Sequence, residues 1–454
     1  MTATTTAQSS GARPRRWRRD VISGVAGNAV EYADFAMWSA FALYFTTQFF
    51  PVENQTAQLL YGAGIFAVGQ IARPLGSIVF GKLADKRGRR LSLTFSVTLM
   101  AVSSFAIAAA PNYRTAGLTG AVILLLARIL QGLSVGGEHG AAAAYIIESA
   151  PESRRGFASS LQYIGVTVGG LLSIIVLIVC QAVFPEGAIE RWGWRLAFTF
   201  MGLVALAVFA VRRTMSETEA FRTEERRVRQ AQADNPGIRA DDRGSFRVLW
   251  RYRRSLLTVF ALGASSTLIF QTIASYSTTY LVNTAGMSRP EATQLRLIGQ
   301  VVMLFALPVF GLLSDRVGRR PMLVAGFVLS SVAVVPIFRG FGTGSYGLSL
   351  ALLTLGIVAI AMMLSVMATV TASAFPTAVR TLGISLPYAL AIALIGGTAD
   401  VMALGLREAG QENWFFAWVV LWGAIGLVAS LRVRAAAEVV SPVVTSKADP
   451  EHAR

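Results

Sequence analysis

Apolar residues run along this chain in stretches of about twenty, the length a helix needs to cross a bilayer core. Twelve such stretches stand out, at roughly 25–49, 58–80, 91–110, 118–140, 158–183, 192–212, 254–282, 293–314, 321–339, 346–370, 380–405 and 413–434. Most connections between them are short. The exception is 213–253, where Glu224-Glu225-Arg226-Arg227, Asp234-Asn235-Pro236-Gly237 and Asp241-Asp242-Arg243 make a polar linker between two groups of six. The pattern predicts an all-α integral membrane protein with twelve transmembrane helices in two six-helix bundles. Its expected parts are a basic tail at 1–24, a bundle at 25–212, the linker at 213–253, a second bundle at 254–434 and a tail at 435–454. The first stretch follows Arg15, Arg16, Arg18 and Arg19, as a secretory signal would. Glu31 and Asp34 interrupt it, however, and no small-residue cleavage site follows, so it reads as a retained membrane helix.

Composition agrees with the pattern and removes other classes. Hydrophobic residues make up 54% of the chain and charged ones 15%, with a mean hydropathy of +0.55. That is too apolar for a soluble enzyme or a disordered protein. With one cysteine, Cys180, and two histidines, His139 and His452, no disulfide framework or Cys/His metal site is expected. No nucleophile–histidine pair, GxGxxG or GxxxxGK[ST] fingerprint is found, so neither catalysis nor a cofactor is expected. The net charge of +16 raises the question of nucleic acid. Placing the charges along the alternating connections answers it. Of the 41 Lys and Arg, 32 fall on the side that holds both termini, five fall on the other, and Arg73, Arg128, Arg195 and Arg296 lie inside helices. This bias predicts cytoplasmic termini by the positive-inside rule. No soluble domain is long enough to carry a nucleic-acid site.

The two halves echo one another. Gly81-Lys82-Leu83-Ala84-Asp85-Lys86-Arg87-Gly88-Arg89-Arg90 follows the second stretch, and Gly311-Leu312-Leu313-Ser314-Asp315-Arg316-Val317-Gly318-Arg319-Arg320 follows the eighth. Pro151, Arg155 and Ser160-Leu161 are matched by Pro376, Arg380 and Ser385-Leu386; Glu190 and Trp192 are matched by Glu412 and Trp414. Two bundles related by a pseudo-two-fold axis along the membrane normal are therefore expected, the build of a carrier with a central site. In the doubled motif, Gly81 and Gly311 permit close packing. Asp85 and Asp315 sit near the N-terminus of the next helix, where negative charge is favoured by about 0.3–1 kcal/mol. Arg89 and Arg319 can pair with them or with carbonyls at a neighbouring helix end. Such contacts, with Arg155 and Arg380, could form and break as a gate.

Charge inside the membrane is the strongest functional signal, because an ionised group at a helix centre costs about 2.5–3.5 kcal/mol on insertion scales. Glu31 and Asp34 share a face of the first helix with Gly27 and Trp38. Neighbouring buried carboxylates are suited to taking up and releasing a proton. Arg128 forms a stripe with Gln131, Gly132, Val135, Gly136 and His139 on the fourth helix, a small-residue polar face of the kind that lines a cavity. Its guanidinium can fork onto a carboxylate. The bland alternative is a static ion pair, with Glu138 either its counter-ion or a further proton site. Arg73, before Pro74, is either a second carboxylate partner or a gate residue. In the second half Gln271, Tyr276, Tyr280 and Tyr388 are candidate lining residues, weighed against plain packing. Arg296 and Asp400 are a candidate gate pair towards the other side.

These residues resemble the major facilitator superfamily, and within it the metabolite:proton symporter branch. Gly27-Asn28-Ala29-Val30-Glu31-Tyr32-Ala33-Asp34-Phe35 is similar to that branch's G-N-x-x-E-[WY]-x-D-F, which adds Tyr32 to the candidate site. Arg128 to Glu138, then Glu148, Pro151 and Arg155-Gly156, and Trp192-Gly193-Trp194-Arg195, look like its further signatures. Ala127 to Glu138 and Tyr280 to Met287 look like the branch's α-ketoglutarate carriers. Ala33, His139 and Asp400 depart from the pattern, standing where an aromatic, a tyrosine and a glutamate are usual. The resemblance implies a proton-coupled symporter of the bacterial cytoplasmic membrane. It would import a small organic acid, an α-ketoglutarate-like dicarboxylate or a related metabolite, by alternating access and act as a monomer. The alternatives are a carrier of the same build for a zwitterion such as proline or betaine, or for a shikimate-like acid, an exporter of the same superfamily, and a non-transporting sensor or scaffold.

Overall fold

Twelve long helices cross back and forth in the computed structural model, which describes residues 13–50, 55–185, 187–234 and 243–433, and no strand occurs among these. In chain order they are α1 (Arg13–Phe49), α2 (Gln55–Arg87), α3 (Arg89–Ala109), α4 (Thr119–Ser149), α5 (Arg155–Val183), α6 (Trp194–Arg212), α7 (Arg253–Phe270), α8 (Arg289–Val317), α9 (Arg319–Phe341), α10 (Tyr346–Ser373), α11 (Arg380–Leu394) and α12 (Glu412–Arg432). Eleven are long and apolar enough to cross a membrane. The exception is α1, whose hydropathy is diluted by its charged stripe and by Thr46, Thr47 and Gln48.

Helix ends and breaks differ from the sequence pattern where polar residues are buried. α4 runs nine residues past the expected end at 140, because Tyr145 and Ile146 pack inside the bundle and Glu148 is buried with partners. α1 starts at Arg13, inside the stretch expected as a tail. α7 passes through a π-helical turn, Gln271–Tyr276, before finishing as Ser277–Asn283. α11 is not continuous: it stops at Leu394, makes a 3-10 turn over Gly396–Thr398 and resumes as Ala399–Glu408. The linker contributes helices at Glu219–Asp234 and Phe246–Arg251.

The two bundles repeat one packing scheme. α2 lies along α4 and α8 along α10; α1 lies along α5 and α7 along α11; α3 lies along α6 and α9 along α12. Each bundle has its own apolar core, one around Phe41, Phe45, Trp194 and Phe198, the other around Phe327, Phe338, Ile357 and Phe415. Without a hydrophobic drive between helices in lipid, backbones must approach closely to gain dispersion energy. α2 and α4 do so: a methyl on Gly132 would fall 2.0 Å from the Gly69 carbonyl oxygen, and one on Gly136 1.9 Å from that of Arg73. The bundles meet through α2 on α11, α5 on α8 and α10, and α4 on α11.

Candidate functional site

The charged stripe of α1 lies in the first bundle, in a cleft shared with α2 and α4. Asp34 is fully buried and accepts from Ser104 Oγ of α3 at 2.7 Å and from the Gln131 side-chain amide of α4. The carbonyl of that same amide accepts from Arg128 Nη1 at 2.6 Å. Gln131 therefore separates the cation from the carboxylate, and no direct Arg128–Asp34 ion pair is made. The Arg128 guanidinium lies 4.0 Å over the Trp38 ring and 5.2 Å from that of Phe66. Its Nε and Nη2 are buried without a hydrogen-bond partner among the described residues, as is Glu31 Oε2. Arg73 of α2 lies over Phe35 at 4.8 Å. Glu31, Asp34, Arg73, Arg128, Gln131 and Gln70 line one narrow cleft floored by Gly69 and Gly132.

Several candidates fall elsewhere. Glu138 is not the counter-ion of Arg128. It is paired with Arg212 at the end of α6, and Ser96 Oγ donates to it at 2.7 Å. Arg212 also donates to the Leu93 carbonyl, and the pair is buried, with Arg212 0% and Glu138 1% exposed. Tyr276 and Tyr280 belong to the second bundle's core rather than to a cleft. Tyr276 packs on Phe338 and Phe415 and donates to Glu412 at 3.1 Å, while Tyr280 packs on Phe338, Phe341 and Phe416. Tyr276 ends the π turn and Tyr280 lies in the helix that follows it, both facing α9 and α12. Gln271 is half-buried where that turn begins. Tyr32 is half-buried beside Phe35. Arg296 is exposed near the start of α8. The side chain of Asp400 lies outside the described residues, and the break at Gly396 interrupts the face it was expected to share with Tyr388.

His139 and Tyr388 join the bundles two to three turns in from the Ser149 end of α4 and the Arg380 end of α11. Their rings are parallel within 1° at 3.9 Å, and Gln162 stands 3.3 Å from His139 Nδ1.

The doubled motif locks one end of the molecule, here the motif end, and it does so across the halves. Asp85 does not cap the helix that follows it. Its two oxygens accept the backbone N–H groups of Thr381 and Leu382, both at 3.0 Å, at the start of α11. Asp315 accepts those of Gly156 at 2.7 Å and Phe157 at 3.0 Å, at the start of α5. Each bundle thus supplies a carboxylate to a helix N-terminus of the other, where the dipole and free amides favour it. Gly81 packs closely on Leu382, and Gly311 so closely on Ser160 that a Cβ there would lie 2.7 Å from its Oγ. Gly88 and Gly318 turn the chain at φ +108° and +104°, a region that favours glycine.

The two locks differ in charge. Arg89, fully buried, pairs with Asp85 at 3.5 Å and Glu148 at 3.2 Å and donates to the Thr377 carbonyl at 2.7 Å. Arg380 reaches the same Glu148 at 2.8 Å, and Thr218 of the linker donates to it at 2.6 Å. At the position matching Glu148 the second copy has Ser373. Arg155, 31% exposed, turns instead to Glu152, and Arg319 donates to the Glu152 carbonyl at 3.1 Å. The linker adds Glu217, which accepts the Arg89 and Arg90 amides at 3.1 and 3.2 Å. Burial raises its pKa above the ordinary glutamate value. Glu148, Glu217, Arg212, Ser104 and Gln70 were not picked out as site residues from the sequence. Only Glu148, an acid at the end of an apolar run, left a signal there.

Comparison with known proteins follows the same lines. The alpha-ketoglutarate permease of Escherichia coli is 37% identical over 95% of this chain and 96% of its own. A glycine betaine/proline/ectoine/pipecolic acid transporter, OusA, of Dickeya dadantii is 31% identical over 92% of this chain and 83% of its own. A citrate-proton symporter of Klebsiella pneumoniae is 30% identical over 90% of each. The solved structure of the proton:xylose symporter XylE bound to 6-bromo-6-deoxy-D-glucose superposes with a TM-score of 0.73 at 19% identity, covering 92% of this chain and 95% of that one. The family description of the Major Facilitator Superfamily matches residues 25–399. The chain belongs to the major facilitator superfamily and is a multi-pass membrane transporter, not an enzyme.

Proposed function

We propose that this carrier imports a small organic acid, an α-ketoglutarate-like dicarboxylate or related metabolite, together with protons. The observation that carries this is Arg128, a buried guanidinium with two unpartnered nitrogens in a cleft it shares with Asp34, Glu31 and Arg73. With all four ionised the cleft is formally neutral. A proton on Asp34 or Glu31 leaves a net positive charge, and a carboxylate can then fork onto Arg128. Proton and anion thereby favour one another, which is what symport requires. The alpha-ketoglutarate and citrate carriers among the relatives support an acid substrate. The motif end, with most of the Lys and Arg, is placed in the cytoplasm, with both termini there. The locks described above then close the inner side, and release requires them to break. One chain in the cytoplasmic membrane suffices for this cycle.

The betaine and proline relatives favour a second reading, a zwitterion carrier. A quaternary ammonium needs a free aromatic face. The Trp38, Phe66 and Phe35 rings beside the cleft already lie under Arg128 and Arg73, which weighs against it. A thermal-shift panel of α-ketoglutarate, citrate, shikimate, proline and glycine betaine on purified protein, then counterflow in liposomes, decides between them. A carboxylate should stabilise the protein and exchange; a betaine response without one overturns the acid reading. Asp34→Asn and Glu31→Gln should each abolish uphill uptake in vesicles with an imposed proton gradient. If both variants still concentrate substrate, proton coupling through α1 is wrong.

A further inference from the structure

We infer that Gln131 is the positioning residue that couples the two ligands, by using one amide to hold Arg128 and Asp34 at once. The inference rests on the symport reading above. Arg128 Nη1 donates to Gln131 Oε1 at 2.6 Å, and the other end of the same planar amide donates to Asp34. An amide has its acceptor and its donors fixed to one plane, so it cannot release one partner by rotation without disturbing the other. A carboxylate that forks end-on across Nη1 and Nη2 of Arg128 competes with the Gln131 carbonyl at Nη1. When the Gln131 carbonyl lets go, its amide turns and Asp34 loses a donor, leaving Ser104. A buried carboxylate stripped of a hydrogen-bond donor binds a proton more readily. The converse follows by linkage: a protonated Asp34 no longer needs the Gln131 donor, and Arg128 is freed for the anion.

The other charges around Asp34 do not replace this link. Glu31 on α1 and Arg73 on α2 share the cleft, and Arg128 on α4 reaches Asp34 through Gln131. α3 presents the neutral Ser104. Arg212 of α6 is engaged with Glu138, towards the motif end. Between its ends α5 carries only Tyr163 and Cys180 as ionisable groups.

The test is the pH dependence of α-ketoglutarate binding to purified full-length protein, with proton uptake on binding read by an indicator dye. Wild type should bind about tenfold or more tightly as pH falls, in the usual range of coupling between sites. In Gln131→Leu that slope should flatten to within about twofold and proton uptake should fall with it. Gln131→Asn, too short to span both partners, should behave alike and serves if the leucine variant does not fold. A variant with the wild-type slope and proton uptake overturns the role of Gln131 alone. A wild-type protein that neither binds the acid nor shows a slope overturns the symport reading and this inference with it.

Discussion

Arg128 sits on an aromatic face with most of its fork unpartnered, an arrangement a lysine cannot copy. Arg128→Lys should keep the fold but weaken α-ketoglutarate binding by about tenfold or more, read by calorimetry against wild type. At the other end of the α1 stripe, Gly27 makes room for the buried Arg212–Glu138 pair. A Cβ there would stand 1.5 Å from Arg212 Nη2 and 2.5 Å from Glu138 Oε1. Gly27→Ala should cost at least the ~1–3 kcal/mol typical of overpacking, seen as a lower thermal midpoint in detergent. The stripe was readable from sequence because a carboxylate in an apolar run has few innocent explanations. Ser104 was not, since serines in membrane helices commonly bond their own backbone, and the Met100 carbonyl lies 3.0 Å from Ser104 Oγ as the alternative acceptor. Arg212 was not either: it stands at a helix edge in a run of arginines, and nothing local marks it as wholly buried.

Among elements, the twelve helices were legible from length and hydropathy, but the interruptions in α7 and α11 were not equally so. Gly396-Gly397 is a visible weak point in α11, whereas the π turn of α7 has no local signature. The turns joining α2 to α3 and α8 to α9 offer a matched pair of glycines at nearly the same φ. A Cβ on Gly318 meets nothing nearer than Pro321 at 3.5 Å; one on Gly88 would lie 2.2 Å from Glu217 Oε2. Gly318→Ala should therefore cost only the backbone strain of a region essentially reserved for glycine, about 1–3 kcal/mol. Gly88→Ala should cost more and displace the linker, so the two thermal midpoints should separate clearly.

At the scale of the whole molecule, the repeat predicted two bundles and a gate, but not that each motif would grip the opposite bundle. Sequence spacing shows which residues recur, not which helix ends meet across an interface. The linker takes part through Thr218, Glu217 and Gly244, whose N–H donates to the Ala378 carbonyl at 2.9 Å. Shortening it within 235–242 should leave measurable counterflow if the linker only tethers the bundles, and little if its contacts at the motif end are needed for transport. The locks themselves hold unequally: one side has Asp85, Arg89, Glu148 and Arg380 in contact, while the other has a serine in place of the glutamate and an arginine partly in water. Spin-label distances across each side should show α5 and α8 parting more often than α2 and α11. If the two barriers differ by only about 1.4 kcal/mol, roughly ten openings begin on the serine side for each that begins on the glutamate side. The motif end then works less like a pair of jaws than like a door, with Glu148 in the hinge post.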